Sequence, residues 1–320
     1  MSERAAGDRG SLPLVSVCIP TYNAASVVGE ALASARLQDY APLEILVLDN
    51  CSSDDTGKVV GGISGADPRV RYVRHDENLG MGGNFTACVS MARGEFVQIL
   101  CADDVLEPGC VSALAGAIQS HPSAVLAACA RTWTDEALQP LRVLRVRDRE
   151  VEVSGPELVR ECFARGNIIG EPSAVMFRRA AAIGGFSAEY NQVIDLEMWF
   201  RLLAAGSAVL LPEALCRVRQ HDAQATQANI RSGLLIEDKR RLFRQFASGP
   251  AAGIGVSGRL MWDARMASSL ARMRAAGGEP PEPESIAEVF FGRLFARLLV
   301  PLATLYWKTS PQPAPERPTQ

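Results

Sequence analysis

The sequence lacks the marks of several protein classes. No uninterrupted apolar run approaches the ~18 residues that a membrane-spanning helix needs. The formal net charge of −3 over 320 residues gives no positive field that would hold nucleic acid. The eight cysteines form no CxxC pair, which argues against a structural zinc site. These absences point to a globular protein without a nucleic-acid partner.

Most of the cysteines lie inside apolar runs, which is typical of reduced, buried thiols in the cytoplasm. The N-terminal stretch MSERAAGDRGSLP has no apolar segment of the kind that a secretory signal needs. We therefore expect a disordered N-terminus over residues 1–13 and a cytoplasmic location.

The most apolar late segment is residues 285–307, which Arg293, Arg297 and Pro301 interrupt. It suits a terminal helix packed on the protein's own core. The alternative is a helix that lies in the interface at the inner face of the membrane as a peripheral contact.

From residue 14 the chain alternates strand-like and helix-like segments. The runs LVSVCI, LEILVLD, RVRYVRH and EFVQIL alternate with SVVGEALASARLQ, SDDTGKVVGGI, GGNFTACVSMARG and PGCVSALAGAIQS. This order predicts an α/β fold with a mainly parallel sheet. The polar clusters PTYN, DNCSSDD, HDENLGMGGN and CADD follow these strands, so we expect them to share the sheet edge where such folds bind ligands.

After residue 140 the alternation weakens. RVLRVRDREVEVSG and PSAVMFRR predict β structure and GPELVRECFARGN a helix, while DLEMWFRLLAAG predicts an amphipathic helix with Leu196, Trp199, Phe200 and Leu203 on its core face. We expect one α/β domain over residues 14–225 and a helical region over 226–308. The Pro-rich residues 309–320 should form a disordered tail.

Two adjacent carboxylates, Asp103 and Asp104, follow the apolar run VQIL. Carboxylates on a loop at the end of a buried strand suit a divalent cation, because Mg²⁺ takes one or two protein carboxylates and leaves its other positions to water and phosphate. The alternative is that Asp104 or Glu107 caps the helix that Pro108 opens.

Three further clusters offer contacts to a nucleotide. Thr21, Tyr22 and Asn23 set an aromatic ring between hydrogen-bonding side chains, which suits a base, although a proline-containing strand exit needs no ligand. Asp49 ends the second strand and can accept hydrogen bonds from a base or a ribose; alternatively it acts as a cap, as Asp54 does. The glycines of ENLGMGGNFT allow backbone to approach a phosphate, but they do not form GxGxxG.

Two acids and a histidine offer further chemistry. Asp195 and Glu197 begin the last predicted helix of the α/β domain, where one carboxylate can remove a proton from a hydroxyl. Alternatively, Asp195 caps the helix and Glu197 pairs with Arg201 at i+4. His221 lies in the polar stretch RVRQHDAQAT, whose arginines suit contact with metal or phosphate.

Taken in order, VSVCIPTYNAASVVGEALASARLQ, EILVLDNCSSDDT, ENLGMGGNFTACVSMARGEFVQILCADDVLEPG and DLEMWFRLLAAG resemble glycosyltransferase family 2. The likeness covers residues 14–225. It implies a GT-A fold, here with a helical C-terminal extension, and an inverting enzyme. It further implies a UDP- or dTDP-sugar donor, a hydroxyl acceptor such as a glycan, a lipid-linked sugar or a small molecule, and Mg²⁺ or Mn²⁺.

The resemblance also assigns residues to the donor nucleotide, and these are Thr21, Tyr22, Asn23, Asp49, Asn78, Gly80, Asn84 and Asp103. The family's Asp-x-Asp signature falls on Cys101 to Asp103, so its first acid is missing here. The metal is therefore assigned to Asp103 or Asp104, with His221 near the diphosphate.

The family's Glu-Asp catalytic pair falls on Ile194 and Asp195, so Asp195 is the expected base, with Glu197 in reserve. The implied reaction is a single displacement in which an acceptor hydroxyl attacks the anomeric carbon, as in the synthesis of cell-surface polysaccharides or glycoconjugates.

Two alternatives stay open at this point. The missing acids at Cys101 and Ile194 are compatible with a non-catalytic nucleotide-sugar-binding protein of the same fold. A sugar-phosphate nucleotidyltransferase is also α/β and metal-dependent, but it would need a basic Gly-rich loop after the first strand, where this chain has PTYNAAS.

Overall fold

The computed structural model describes residues 12–220, 234–247 and 253–275. The strands in these ranges are β1 Val15–Thr21, β2 Leu43–Asp49, β3 Val70–Arg74, β4 Phe96–Ile99, β5 Val105–Leu106, β6 Ala124–Thr134, β7 Pro140–Leu144, β8 Val151–Ser154, β9 Val175–Arg178 and β10 Ser207–Arg219. The α-helices are α1 Val28–Arg36, α2 Thr56–Ser64, α3 Gly80–Met91, α4 Cys110–Ser120, α5 Gly155–Arg165, α6 Ile194–Leu203, α7 Leu234–Phe246 and α8 Val256–Ala275.

The strands form one mixed sheet in the order β3-β2-β1-β4-β9-β6-β10-β5, with β7 beside β6 and β8 beside β10. The α/β fold is confirmed, and β3, β2, β1 and β4 are parallel as predicted. The expectation of a mainly parallel sheet fails in part of the second half: β10 is parallel to β6, but β9 runs antiparallel to β4 and β6. Helix α5 joins β8 to β9, and both strands run opposite to β6 and β10.

The parallel half is buried on both faces, and every residue of β1 and β2 is buried. Alternate side chains enter two different cores: Val17 and Val47 pack on one face, and Cys18 and Leu46 on the other. This arrangement explains why these strands are continuous apolar runs rather than alternating ones. Thr21 and Asp49 are the polar residues at their carboxyl ends, and near their amino ends the hydroxyl of Ser16 donates to Glu44.

The amphipathic helix predicted around Trp199 is present as α6, and its predicted core residues are buried. The Trp199 ring lies 5.7 Å from that of Phe177 and 6.2 Å from that of Phe186. Burial extends around the helix, because Glu197 is buried as well. The element therefore lies inside the protein, and its first turn is held firmly against the sheet.

Helices α7 and α8 belong to the same core as α5 and α6. The rings of Phe243 and Trp262 stack 4.7 Å apart, and Phe163 packs edge-on against Trp262 at 5.4 Å. Phe246 of α7 contacts Phe200 of α6 with 5.4 Å between the ring centroids. Aromatic pairs of this kind add about 0.5–1.5 kcal/mol each beyond the burial of their area.

Several expectations fall on parts of the chain outside the described residues. These are the N-terminal residues 1–11, His221, the apolar segment 285–307 and the tail 309–320. Among the residues that are described, no helix is both long and apolar enough to cross a membrane.

The start of α5 gives a test of the packing. A Cβ placed on Gly155 would lie 1.8 Å from the carbonyl oxygen of Leu203. We therefore expect Gly155→Ala to lower the free energy of unfolding by about 3 kcal/mol. Gly116, inside α4, has open space around its Cβ position, so Gly116→Ala should raise that free energy by about 0.5–1 kcal/mol. Urea unfolding of both variants measures these two changes. Equal free energies of unfolding for the two variants would contradict the predictions.

Candidate functional site

A cavity of about 1100 Å³ lies at the carboxyl ends of β1 and β4. It collects side chains from the polar clusters after β1, β2, β3 and β4. Of the predicted donor residues it is lined by Thr21, Tyr22, Asn23, Asn78, Gly80, Asn84 and Asp103. The structure thus brings seven of the eight together, as expected where parallel strands end at one edge.

The turn that leads into α3 is built around Asn50. Its side-chain amide donates to Asn78 Oδ1 at 2.8 Å and to the carbonyl of Gly80 at 3.2 Å, and its Oδ1 accepts from the backbone N–H of Leu79 at 2.8 Å. Gly80 has φ +72°, a conformation that favours glycine. Asn50 was not among the predicted site residues, although it lines the cavity and fixes this wall.

Two buried polar atoms of this cavity have no hydrogen-bond partner within the described residues. They are Thr21 Oγ1 and Asn84 Oδ1. Leaving such an atom unsatisfied costs about 1–3 kcal/mol. Tyr22, by contrast, is 51% exposed and offers an aromatic face at the cavity wall. This combination of unsatisfied polar atoms and an open ring suits a polar, planar ligand.

Asp49 is the predicted donor residue that the structure does not bring to the cavity wall. Its carboxylate is 1% exposed and accepts from the backbone N–H of Ser52 at 2.8 Å and from the hydroxyl of Tyr72 at 2.6 Å. Burial raises the pKa of Tyr72 to about 12, and the hydrogen bond to Asp49 contributes to this rise. Asp49 therefore holds the turn next to Asn50, and its contact with a base or ribose stays a prediction.

The loop after β4 holds the expected metal group. Cys101, Asp103 and Asp104 each offer a ligand atom, and these atoms lie within 4.8 Å of one another. Asp104 is 3% exposed, and its two oxygens already accept from Ser173 Oγ at 2.5 Å and from the N–H of Arg219 at 3.0 Å. Burial, followed by the charge of Asp103, raises the pKa of Asp104 well above its usual value.

The three ligand atoms differ in their suitability for a hard divalent cation. Burial and the carboxylates of Asp104 and Asp103 raise the pKa of the Cys101 thiol well above its ordinary value, and a neutral thiol is a poor ligand for Mg²⁺. Asp104 is occupied by protein donors and lies outside the cavity lining. Asp103 lines the cavity, so it is the carboxylate of the group that fits a cation shared with a bound ligand.

Arg219 fixes the same loop from the end of β10. Its Nε donates to the carbonyl of Asp103 at 2.9 Å, and its Nη atoms contact the carbonyl of Glu136 and the carboxylate of Glu30. Ser173 Oγ also accepts from the N–H of Cys101 at 3.0 Å. The sequence predicted arginines near a phosphate, whereas the structure shows this guanidinium occupied by protein acceptors.

Asp195 lines a second cavity, of about 400 Å³, between α5, α6, α7 and α8. Asn167 Nδ2 donates to its Oδ2 at 3.1 Å, and the N–H of Leu196 donates to its Oδ1 at 2.7 Å. Burial, and to a lesser degree the charge of Glu171, raises the pKa of Asp195 to about 7. A carboxylate with such a pKa is suited to proton transfer near neutral pH.

Glu171 and Arg131 complete the surroundings of Asp195. Arg131 Nε lies 2.6 Å from Glu171 Oε2, and Trp133 Nε1 donates to Glu171 Oε1 at 3.2 Å. The charge of Glu171 raises the pKa of Asp195, and the positive charge of Arg131 lowers it. Neither residue was predicted, although the stretch GNIIGEPSA around Glu171 is rich in glycine and polar side chains between two predicted elements.

The reserve base Glu197 is wrongly placed for that role. It lines neither of the two cavities, and its two oxygens accept from Arg201 Nε at 2.7 Å and Nη2 at 3.0 Å. The i,i+4 ion pair that the sequence offered as the alternative is therefore formed. His221 lies outside the described residues.

The two cavities lie next to each other. Cys101 lines the larger one, and Asp195 in the smaller one is close enough to raise the pKa of the Cys101 thiol. Consecutive residues of the β10 end separate them, because Arg219 lines the first and Gln220 the second. Cys101 and Asp195 are therefore neighbouring residues in the walls of the two cavities.

Comparison with known proteins agrees with this geometry. The model for "Glycosyl transferase family 2" matches residues 16–183. The chain is 34% identical over 220 residues to an uncharacterized protein of Mycobacterium tuberculosis. This match spans 66% of the chain and 68% of that protein.

Two further relatives carry descriptive names. The chain is 38% identical over 104 residues to the GalNAc(5)-diNAcBac-PP-undecaprenol beta-1,3-glucosyltransferase of Campylobacter jejuni, and this match spans 32% of the chain and 34% of that enzyme. The crystal structure of S. aureus TarS 1-349 in complex with UDP-GlcNAc has a TM-score of 0.64 at 18% identity, covering 82% of this chain and 74% of that one. That likeness shows a shared fold.

The raised pKa of Asp195 predicts a pH-dependent stability. Since the folded pKa of about 7 lies above the ~3.9 of an unfolded aspartate, the folded state binds the extra proton between these values. The stabilisation is present at low pH and is lost as the pH rises through about 7. Asp195→Asn removes this loss, so its stability relative to wild type should rise by about 1–3 kcal/mol between pH 5 and pH 8.

Thermal unfolding at both pH values measures this difference. Asp39→Asn, at an exposed carboxylate, serves as the control and should show no such pH dependence. A constant stability difference between Asp195→Asn and wild type would contradict the raised pKa.

Proposed function

The chain belongs to glycosyl transferase family 2, and on this premise we propose that it is an inverting enzyme that moves a sugar from a UDP- or dTDP-sugar to an acceptor hydroxyl. It is a glycosyltransferase with the GT-A fold of that family. The observation that carries the finer proposal is the proximity of the two cavities: Cys101 lines the larger one, and the half-buried carboxyl of Asp195, which lines the smaller one, raises the pKa of the Cys101 thiol.

The larger cavity is the proposed donor site. Tyr22 stacks on the base, while Thr21 Oγ1 and Asn84 Oδ1 gain the hydrogen bonds that the protein does not supply. The left-handed turn at Gly80 brings backbone to the diphosphate side. The TarS structure in complex with UDP-GlcNAc is compatible with a uridine nucleotide in a protein of this fold.

Asp103 would hold the Mg²⁺ or Mn²⁺ ion together with the oxygens of the diphosphate. The ion, when bound, supplies positive charge that stabilises the departing nucleotide diphosphate. Asp104 acts behind it by holding the loop through Ser173 and Arg219. Cys101, in the place of the first signature acid, leaves one carboxylate rather than two facing the donor.

Asp195 is the proposed base. Its carboxylate takes the proton of the acceptor hydroxyl while that oxygen attacks the anomeric carbon from the face opposite the nucleotide, so the configuration inverts. Asn167 donates to one of its oxygens and orients it. The new C–O bond forms as the bond from the anomeric carbon to the diphosphate oxygen breaks, and the electron pair leaves with the nucleotide.

The smaller cavity is the proposed acceptor site. Trp133, Phe163 and Trp262 supply aromatic surface, and Asn167 and Gln192 supply amide groups. Aromatic faces with nearby hydrogen-bonding groups suit a sugar ring, so we propose a glycan or lipid-linked sugar as acceptor. The undecaprenol-linked substrate in the name of the Campylobacter relative supports a role in polysaccharide or glycoconjugate synthesis.

A panel of labelled nucleotide sugars tests the proposal. UDP-, dTDP- and GDP-sugars are incubated with the protein and Mn²⁺, and release of nucleotide diphosphate is measured with and without a mixture of glycan acceptors. We expect turnover with a UDP- or dTDP-sugar. The absence of turnover with every member, or turnover with GDP-sugars alone, would overturn the proposal.

Asp195→Asn should lower the rate of transfer by about 10³-fold or more, because a neutral amide cannot accept the proton. The wild-type rate should rise with pH through about 7 as Asp195 ionises, and the variant should lack this rise. The affinity for UDP, measured by calorimetry, should not change. Normal turnover in the variant would refute the role of Asp195.

Asp103→Ala should weaken Mn²⁺-dependent UDP binding by roughly tenfold or more, because the ligand that faces the donor is lost. Asp104→Asn is the matched comparison: it should lower thermal stability, because a buried hydrogen-bonded carboxylate is replaced, and affect UDP binding less. Calorimetry with and without Mn²⁺ measures both. Unchanged Mn²⁺-dependent affinity in Asp103→Ala would place the ion elsewhere.

A further inference from the structure

We propose that Asp238 of α7 is a positioning residue for the reaction: from a distant part of the chain it binds the backbone of residues 191–193, which lead into α6, and so holds Asp195 in place. This inference rests on the proposed function for the role of Asp195. The contact itself stands on geometry alone. It lies beyond residue 183, where the match to the family model ends.

The carboxylate of Asp238 is buried against the segment that leads into α6. Its Oδ2 accepts from the backbone N–H groups of Asn191 at 2.8 Å, Gln192 at 2.6 Å and Val193 at 3.4 Å. The residue is 3% exposed. A charged acceptor that faces several backbone donors forms bonds about twice as strong as neutral ones.

Helix α6 does not supply this cap itself. Its N-cap residue is Val193, which has no side chain able to accept a hydrogen bond. The first N–H groups of a helix need acceptors, and negative charge is favoured near them by the helix dipole. Asp238 brings negative charge to this end of α6 from another helix: it accepts from the N–H of the N-cap residue Val193 and from the two N–H groups that precede it.

One face of α7 forms hydrogen bonds with residues 189–193, the segment before α6. Asp238, Arg241 and Gln245 follow one another at helical spacing on that face. Arg241 Nη1 donates to the carbonyl of Glu189 at 2.7 Å, and Tyr190 donates its hydroxyl to Gln245 Oε1 at 2.6 Å. Residues 189–193 are thus fastened at three successive turns of α7.

The neighbouring face of α7 lines the proposed acceptor cavity. Leu235, Lys239 and Leu242 are part of its wall, and Gln192 and Val193 of the fastened segment belong to the same cavity. One helix therefore contributes surface to the acceptor site and fixes the helix that carries the base. A displacement of about 1 Å at a reacting group can reduce a rate by 10²-fold, so this grip matters for the chemistry.

The test compares Asp238→Asn with Glu237→Gln, an exposed carboxylate one residue away on α7. The assay uses the nucleotide sugar that the panel shows to be active. We expect Asp238→Asn to lower kcat about 10- to 100-fold while the dissociation constant for UDP stays within twofold. Asp238→Glu, which keeps the charge, should give an intermediate kcat. Glu237→Gln should match wild type in both.

Hydrogen exchange gives a readout that does not depend on turnover. Peptides that cover residues 189–196 should exchange faster in Asp238→Asn than in Glu237→Gln, while peptides of β1 and β2 should not change. If Asp238→Asn fails to fold, Arg241→Ala takes its place, because that side chain is 48% exposed and its loss loosens the same segment.

The outcomes separate this inference from the proposed function. Faster exchange at residues 189–196 with kcat unchanged overturns the positioning role. A parallel loss of UDP affinity and kcat also overturns it, because that pattern reports a general disturbance. If the wild type turns over no donor, the proposed function fails, and the exchange data alone then decide whether Asp238 holds the segment.

Discussion

The hydrogen bonds of one buried carboxylate, Asp104, hold the two halves of the site together. Asp104 accepts from Ser173, just before β9, and from the backbone of Arg219, at the end of β10. It thereby ties the loop that carries Cys101 and Asp103 to β9 and β10. These bonds strengthen the link that the continuous sheet already makes through the pairing of β4 with β9. The adjacent acids that stand out in the sequence thus have different surroundings: Asp103 lines the proposed donor cavity, and Asp104 fixes the loop.

Two acidic side chains of the site lie in surroundings that disfavour their charged form. Asp104 and Asp195 both have raised pKa values, chiefly because they are withdrawn from water. For Asp104 the cost is offset by two hydrogen bonds and yields rigidity. For Asp195, the proposed base, it yields a pKa near neutral pH, as proton transfer at that pH would need. The C-terminal helices contribute to that environment, because α7 and α8 close the cavity over Asp195 and α7 fastens the segment before it.

The sequence was sufficient to predict the parallel half of the fold, the helix α6 and the edge where the polar clusters meet. These features depend on local patterns: continuous apolar runs, helical spacing and polar residues at strand ends. It was insufficient for β10, where Pro212 and Glu213 interrupt the apolar pattern although pairing with β6 makes a strand of 13 residues. The strand β9 was predicted from PSAVMFRR, but its antiparallel direction depends on long-range pairing and was hidden. Within the site, Asn50, Glu171 and Asp238 act through contacts with distant residues that their neighbours along the chain do not reveal, although Asn50 lies in the polar cluster DNCSSDD and Glu171 in the stretch GNIIGEPSA. Conversely, Glu197 had the right residue type and spacing, but the same spacing gave it Arg201 as a partner.

The central claim is that a nucleotide sugar in the larger cavity presents its anomeric carbon to Asp195 across Cys101. A crystal structure of the Asp195→Asn protein with Mn²⁺ and an unreactive UDP-sugar analogue tests it most directly. The account predicts the uracil against Tyr22, the diphosphate beside Asp103, and the anomeric carbon facing residue 195 with the smaller cavity open behind it. A nucleotide bound outside this cavity, or a sugar that points away from residue 195, would contradict the account.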